Sequence, residues 1–557
     1  MVVALPPVAA SRRRPGRTSW AWSRAQGVEQ PARRRELWCP RAPAADPDRR
    51  GRAPAPDTGE ALRVARRRAD RYFTHRVGYL ARVLGIPLVC LVIAVLAFRQ
   101  AGATDTSVAE RDRVEVASPA TPLLSTRRLP ATVAHPSRTV DAFNLAQPIV
   151  AEGPVGTSCT VVTTATGTPV YEHNPRLGVA PASNLKVVTA YATLARLGPD
   201  HRYRTQLVTD ARVEAGIVEG DVWLVGAGDP VLATADYAAS FISQPQLHTP
   251  VESLVAALQQ AGVTHIRGAL IGDASRYDDQ HYVPSWPQRW RTGTGELPSG
   301  PLTALNLNDG LVSYPSAGQE HGGSGPREAA ENPAQAATAR VAELLGAAGV
   351  AVDGGVRVGK APPTPIPLAF VDSPPMGELV RHMLTESDNT ASELFLKELG
   401  AVEGVQGTTA GGTAVMAQVL AEGGFPLEGV AVTDGSGLDE GNLLTCRLLT
   451  MVLALVPQDS PLVAGLPVAG QTGTLLDRFA ASPAIGRVRA KTGTLDGASG
   501  LAGYIDTNSG ERIVFAALFS GSAPETLEPL EERLATALLT YPLGASLAQL
   551  GPLPAGG

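Results

Sequence analysis

The chain has 557 residues, too many for one compact domain, and its 44% apolar and 18% charged composition suits folded units with sizeable cores. A formal net charge of −5 hides an asymmetry: residues 1–76 hold eighteen Arg, no Lys and seven acids, about +11, which leaves about −16 for the remainder. Nucleic-acid binding is one reading of the basic head, but the apolar stretch that follows it favours a membrane and no nucleic acid as partner. The nine histidines show no metal-ligand spacing, there is no HExxH or GxSxG, and Gly359-Lys360-Ala361 lacks the Ser/Thr of a phosphate-binding loop. Metallopeptidase, nucleophile-elbow hydrolase and P-loop chemistry are thereby set aside. No metal or other cofactor is implied.

Residues 1–76 are rich in Arg, Ala and Pro without apolar periodicity, and read as a disordered cytoplasmic head. Val83 to Phe98 gives sixteen apolar positions without a charge. Counting from Val77 gives twenty-two, interrupted by Arg82 alone. That is long enough to cross a bilayer, and the arginines before it put the head inside and the body outside. Residues 77–98 are therefore an expected single-pass anchor in the cell membrane; with Ala101-Gly102-Ala103 behind it, a cleaved leader and secretion are the other option. Residues 99–136 read as a linker. Of four cysteines, only Cys159 and Cys446 reach the exterior, either as a bridge or as two buried thiols.

In the body, Thr139–Ile149 reads as a short helix, and 159–164 with 168–172 as a hairpin. Pro181-Ala182-Ser183-Asn184-Leu185-Lys186 opens a helix from Ser183, with Leu185, Val188, Ala192 and Leu194 at helical spacing. Residues 203–213, 218–225 and 266–272 read as strands and 251–262 and 334–349 as helices, which suggests an inserted domain over 201–370. Glu386-Ser387-Asp388-Asn389 feeds an amphipathic helix. Residues 485–494, 500–506 and 512–520 read as three strands, followed by a helix over 524–539. A sheet shared between N- and C-terminal strands, with helices packed on it, is an α/β (α+β) architecture over 137–200 plus 371–545.

Ser183 and Lys186 lie three apart on one helix face, so hydroxyl and amine can meet where free backbone N–H groups favour negative charge. Alone, that pair is an ordinary N-cap with a solvated lysine, and Ser387-x-Asn389 an ordinary cap. Lysine usage changes the weighting. The chain has four lysines, Lys186, Lys360, Lys397 and Lys491, against 44 arginines. A chain that writes nearly every cation as Arg keeps Lys where an amine must lose a proton, which guanidinium does not do. Lys491-Thr492-Gly493-Thr494 lies in a strand whose glycine permits close approach.

SxxK at 183, SxN at 387 and KTG at 491 occur in the order, and on the elements, of the penicillin-binding protein and serine β-lactamase signature. With the long insertion between the first two motifs, residues 140–540 resemble the D-alanyl-D-alanine carboxypeptidase/endopeptidase family, the low-molecular-mass class C penicillin-binding proteins. Gly226-Ala227-Gly228-Asp229-Pro230, Gly272-Asp273, Pro298-Ser299-Gly300 and Asp434-Gly435-Ser436-Gly437-Leu438 add to the likeness. The resemblance implies a serine β-lactamase/transpeptidase-like domain split by the insertion, acting on peptidoglycan stem peptides and acylated by β-lactams.

It also implies roles. Ser183 is the nucleophile and Lys186 its base; Ser387 relays the proton to the leaving amine. Asn389 binds the substrate backbone, and Lys491, Thr492, Gly493 and Thr494 receive the terminal carboxylate. The backbone N–H groups of Ser183 and Thr494 form the oxyanion hole. Asp388 is assigned a structural part, and Lys360 and Lys397, outside every motif, are expected on the surface. A β-lactamase would share the three motifs but needs a second base for deacylation, which neither Glu386 nor Glu393 supplies in a recognisable loop. An idle wall-binding scaffold would have no need of both motif lysines.

Overall fold

The computed structural model describes residues 91–96 and 130–544, apart from 242–244, 292–293, 296, 316–326 and 405–406. The expected head, most of the expected anchor and most of the linker lie outside the described residues. Within the anchor only Leu91–Leu96 is described, as a helical stretch with exposed side chains. No helix among the described residues is long and apolar enough to cross a membrane.

In chain order the body begins with α1 (Pro130–Val150), β1 (Ser158–Thr164), β2 (Pro169–His173) and α2 (Leu185–Leu197). Then come β3 (Arg204–Thr209), β4 (Val222–Val225), α3 (Val251–Gln260), β5 (Leu270–Asp273), α4 (Pro333–Ala347), β6 (Val356–Val358) and β7 (Ile366–Asp372). The chain returns with α5 (Met376–Glu386), α6 (Asn389–Val402), α7 (Thr409–Glu422) and α8 (Cys446–Leu455). It ends with β8 (Val488–Leu495), β9 (Ala498–Asp506), β10 (Arg512–Ser520) and α9 (Pro524–Leu538). α1 starts nine residues before the expected Thr139. Pro136, inside α1, made its first turns read as linker, because proline is disfavoured in a helix interior.

Two five-stranded sheets result. The first is antiparallel throughout, in the order β8-β9-β10-β1-β2, so strands from both ends of the chain share it. Its central strand β10 is apolar on both faces. Ile513, Phe515, Ala517 and Phe519 face α1 and α9, while Val514, Ala516 and Leu518 face the cluster built by α2, α5, α6 and α8. Alternate residues of a strand point to opposite sides, so a strand covered twice reads as a continuous apolar run. Each large side chain buried there contributes about 1.5–3 kcal/mol. Cys159 on β1 and Cys446 at the start of α8 are joined by a disulfide across 5.8 Å between Cα atoms, which fixes the helical layer to the sheet.

The second sheet, β6-β5-β4-β3-β7, draws its strands from residues 204–372 and packs against α3 and α4. Three expected strands are each broken in two here. Residues 213–214, 217–218, 265–266 and 351–352 leave the large sheet for a separate four-stranded one. Two of the breaks fall where the chain crosses itself at Gly220 and Gly268. A Cβ on Gly268 would lie 2.4 Å from Gly220 C and from Asp221 Oδ1. Apolar periodicity continues through such a crossing, so the break is invisible in the pattern.

Candidate active site

Ser183 does not begin the α-helix. It sits in a 3₁₀ turn, Ala182–Asn184, directly before α2. Ala182 is buried at φ 45°, in the left-handed region that a residue with a Cβ enters at a cost of roughly 1–3 kcal/mol. The turn is held there by the sheet edge. Gly493 on β8 and Gly500 on β9 are cross-strand partners. A Cβ on Gly493 would lie 2.6 Å from both Pro181 O and Asn184 Nδ2, and one on Gly500 would lie 2.8 Å from the same Nδ2. The close approach Gly493 permits is therefore to the nucleophile's own turn. Gly500, its partner in the cradle, carried no sequence signal.

The turn brings Ser183 Oγ within 3.0 Å of Lys186 Nζ. Lys186 is completely buried, and its amine also donates to Asn389 Oδ1 at 2.6 Å and to Ser436 O at 2.7 Å. All three acceptors are uncharged. Burial pushes the amine down to about 8, against the opposing pull of the Asp434, Glu393 and Asp388 carboxyls. An amine so placed is able to take a proton from a hydroxyl.

Ser387 is the left-handed residue (φ 59°) that ends α5, and Asp388 then caps α6 by accepting from Ala391 N–H at 2.9 Å. This tight joint aims both motif side chains at the site. Lys491 Nζ donates to Ser387 Oγ at 2.9 Å and to Thr492 O at 2.9 Å. Asn389 Nδ2 donates to Pro298 O at 2.6 Å, which fixes its Oδ1 towards Lys186. Burial, with the Lys186 cation beside it, drives the Lys491 amine well below its ordinary range. Ser183, Ser387, Thr492 and Thr494 line one cleft of about 220 Å³, together with Thr474, Arg478 and Glu528. The three distant motifs thus converge on a single hydroxyl beside a buried amine.

That arrangement has known counterparts. The family model of the D-Ala-D-Ala carboxypeptidase 3 (S13) family matches residues 144–328 and 319–541, which include every motif residue above. The chain belongs to the S13 family. It is accordingly a serine-type D-alanyl-D-alanine carboxypeptidase. It is 28% identical over 470 residues to the D-alanyl-D-alanine carboxypeptidase of Actinomadura sp. (strain R39), covering 71% of this chain and 84% of the relative. It is 29% identical over 392 residues to the carboxypeptidase DacB of Mycolicibacterium smegmatis, covering 68% and 79%. The crystal structure of penicillin binding protein 4 (dacB) from Haemophilus influenzae shares the fold, with a TM-score of 0.60 at 21% identity over 71% of this chain and 99% of that one. The expected mixed α/β architecture holds.

Around this S13 site several residues escaped the sequence reading. Lys397, expected on the surface, is fully buried and binds Asp278 Oδ1 at 2.5 Å and Gln280 O at 2.8 Å. It was misplaced because its partner is 119 residues away and because α6 is buried along nearly its whole length, leaving no polar face to betray it. Lys360 is exposed. Asp388 also faces His382 Nε2 at 3.6 Å. Burial alone would lower the imidazole, but the carboxylate outweighs it and the net shift is upward. Thr474 Oγ1 meets Thr492 Oγ1 at 2.7 Å, and Glu528 Oε1 accepts from Thr494 Oγ1 at 3.1 Å. Short polar contacts of this kind leave no periodic trace.

Proposed function

We propose that Ser183 carries out the D,D-peptidase reaction on the D-alanyl-D-alanine end of peptidoglycan stem peptides, with Lys186 as its base. Neutral Lys186 takes the Ser183 proton as Oγ attacks the penultimate D-alanyl carbonyl. The oxyanion forms between the backbone N–H groups of Ser183 and Thr494. As the C–N bond breaks, the proton passes from Lys186 through Ser387 Oγ to the leaving amine, and water then hydrolyses the Ser183 ester. Asn389 holds the substrate backbone. The hydroxyls of Thr492 and Thr494 receive the terminal carboxylate. That carboxylate also restores the charge that burial disfavours on Lys491, since an anion close by favours the ammonium.

The observation that carries this reading is the 3.0 Å contact between Ser183 Oγ and a fully buried amine with no carboxylate among its hydrogen-bond partners. β-Lactams, as cyclic amides, enter by the same attack. The Cys159–Cys446 disulfide supports an oxidising, extracytoplasmic setting for the body, in keeping with a membrane anchor at 77–98. Mass spectrometry of the purified protein after incubation with benzylpenicillin tests the assignment. One penicilloyl adduct is expected, located on Ser183 and absent from Ser183→Ala; an adduct that persists in the variant sinks the nucleophile.

A further inference from the structure

The segment Asp434–Leu438 contributes one atom to the site, the Ser436 carbonyl that accepts from Lys186 Nζ at 2.7 Å. A base that must pass a proton to Ser183 Oγ depends on where that carbonyl holds its nitrogen. The segment has no regular secondary structure to keep it there. What holds it comes from two helices. Gly435 O accepts from Thr189 Oγ1 of α2 at 2.6 Å and from Ser392 Oγ of α6 at 2.7 Å. Gly435 N–H and Ser436 N–H both point the other way, at the Glu393 carboxyl of α6. Oε1 accepts them at 3.0 and 2.7 Å, and Oε2 lies 3.1 Å from Gly435 N.

Nothing in this clamp is loose. Glu393 is completely buried. A Cβ on Gly435 would lie 2.8 Å from Ser392 O, and one on Gly437, at φ 88°, would lie 1.9 Å from Ala182 O. The segment is thus pressed between α6 and the nucleophile's turn. Its far end is tied down separately by Asp434, which accepts from Gly437 N–H, Asp439 N–H, Asn442 Nδ2 and Trp286 Nε1. Asp434 holds Gly437 N–H, on the far side of the carbonyl's own peptide, whereas Glu393 holds the two N–H groups that lead into it, those of Gly435 and Ser436.

We infer that Glu393 is a positioning residue for the acylation step: its carboxyl pins the Gly435–Ser436 amides, and through the Ser436 carbonyl it sets the direction of the Lys186 amine towards Ser183. The role is one of reach. Burial and the neighbouring Asp434 push the Glu393 carboxyl up to about 8, so acceptance by Oε1 does not depend on full ionisation. The inference rests on Lys186 being the base, as proposed above.

Two conservative substitutions separate reach from charge. Glu393→Gln keeps the length and an oxygen that both amides can use. Glu393→Asp keeps the acid and falls one methylene short. Stopped-flow acylation of the full chain by a fluorescent penicillin, near pH 9, gives the initial dissociation constant and the acylation rate constant separately; thermal melting checks the fold. Glu393→Gln is expected to acylate within about threefold of wild type. Glu393→Asp is expected to lose about 10²-fold in the rate constant with its dissociation constant unchanged, the scale of a small misplacement of a reacting group. Overturning results are equal rates in both variants and wild type, or a slow Glu393→Gln whether or not Glu393→Asp is slow, since those say that position is not needed or that charge is. A wild-type protein that is not acylated on Ser183 at all refutes the underlying assignment instead.

Discussion

Lys186 and Lys397 are both sealed from solvent, sit on neighbouring helices, and end in opposite chemistry. Lys397 meets a carboxylate, Asp278, at 2.5 Å. Lys186 meets a hydroxyl, an amide oxygen and a backbone carbonyl. Burial lowers both amines, but at Lys397 the Asp278 charge works directly against that fall. Around Lys186 the nearby carboxyls are turned away: Glu393 is spent on backbone amides and Asp388 on a helix cap and His382. A buried amine is a structural ion when a counter-charge touches it, and a base when only neutral acceptors do.

The comparison breaks first at Lys186. Lys186→Arg keeps a cation but installs a group that does not deprotonate, and the acylation rate should fall on the order of 10³-fold. A variant within tenfold of wild type would show that another group serves as base. At Lys397 the expected damage is to the fold. Lys397→Met leaves Asp278 without its partner, and denaturant unfolding should show a loss of about 3 kcal/mol, at the low end for a broken buried pair because Asp278 keeps 19% exposure. Whatever remains folded should acylate within about threefold of wild type. A large fall in acylation there, with stability intact, would place Lys397 in the chemistry after all.

The same contrast marks how far the sequence carried. The motif residues were legible because each is a short local pattern and because lysine is so scarce that two of four in motifs stood out. The strands of the first sheet were legible for a similar reason: continuous apolar runs between clear turns, such as 512–520, need no partner to be recognised. What sits between motifs was not. Asp434–Leu438 could be quoted as a likeness, but its carbonyl's reach to Lys186 spans 250 residues. Glu393 looked like one more acid on an amphipathic helix, and burial of that helix on all sides is a property of its neighbours. The cysteines were left open between a bridge and two thiols for the same reason, since pairing needs the Cα separation that only the fold sets.

The pH dependence sharpens the contrast with the smallest effect. Lys186 is held down to about 8, so it is protonated below that pH and unable to accept the Ser183 proton. The second-order acylation rate should rise about tenfold per unit up to pH 8 and level off above it, because one proton must leave the base before attack. The direction matters: a depressed lysine gives activity that appears as pH rises, the reverse of a reaction needing an ammonium. Lys397→Met should leave the midpoint where it is, since that amine shares no hydrogen-bond partner with Lys186. A midpoint well below 8 would point to a group other than Lys186 as the base. A midpoint that moves with Lys397 would mean that the two buried amines are not the separate systems their partners make them.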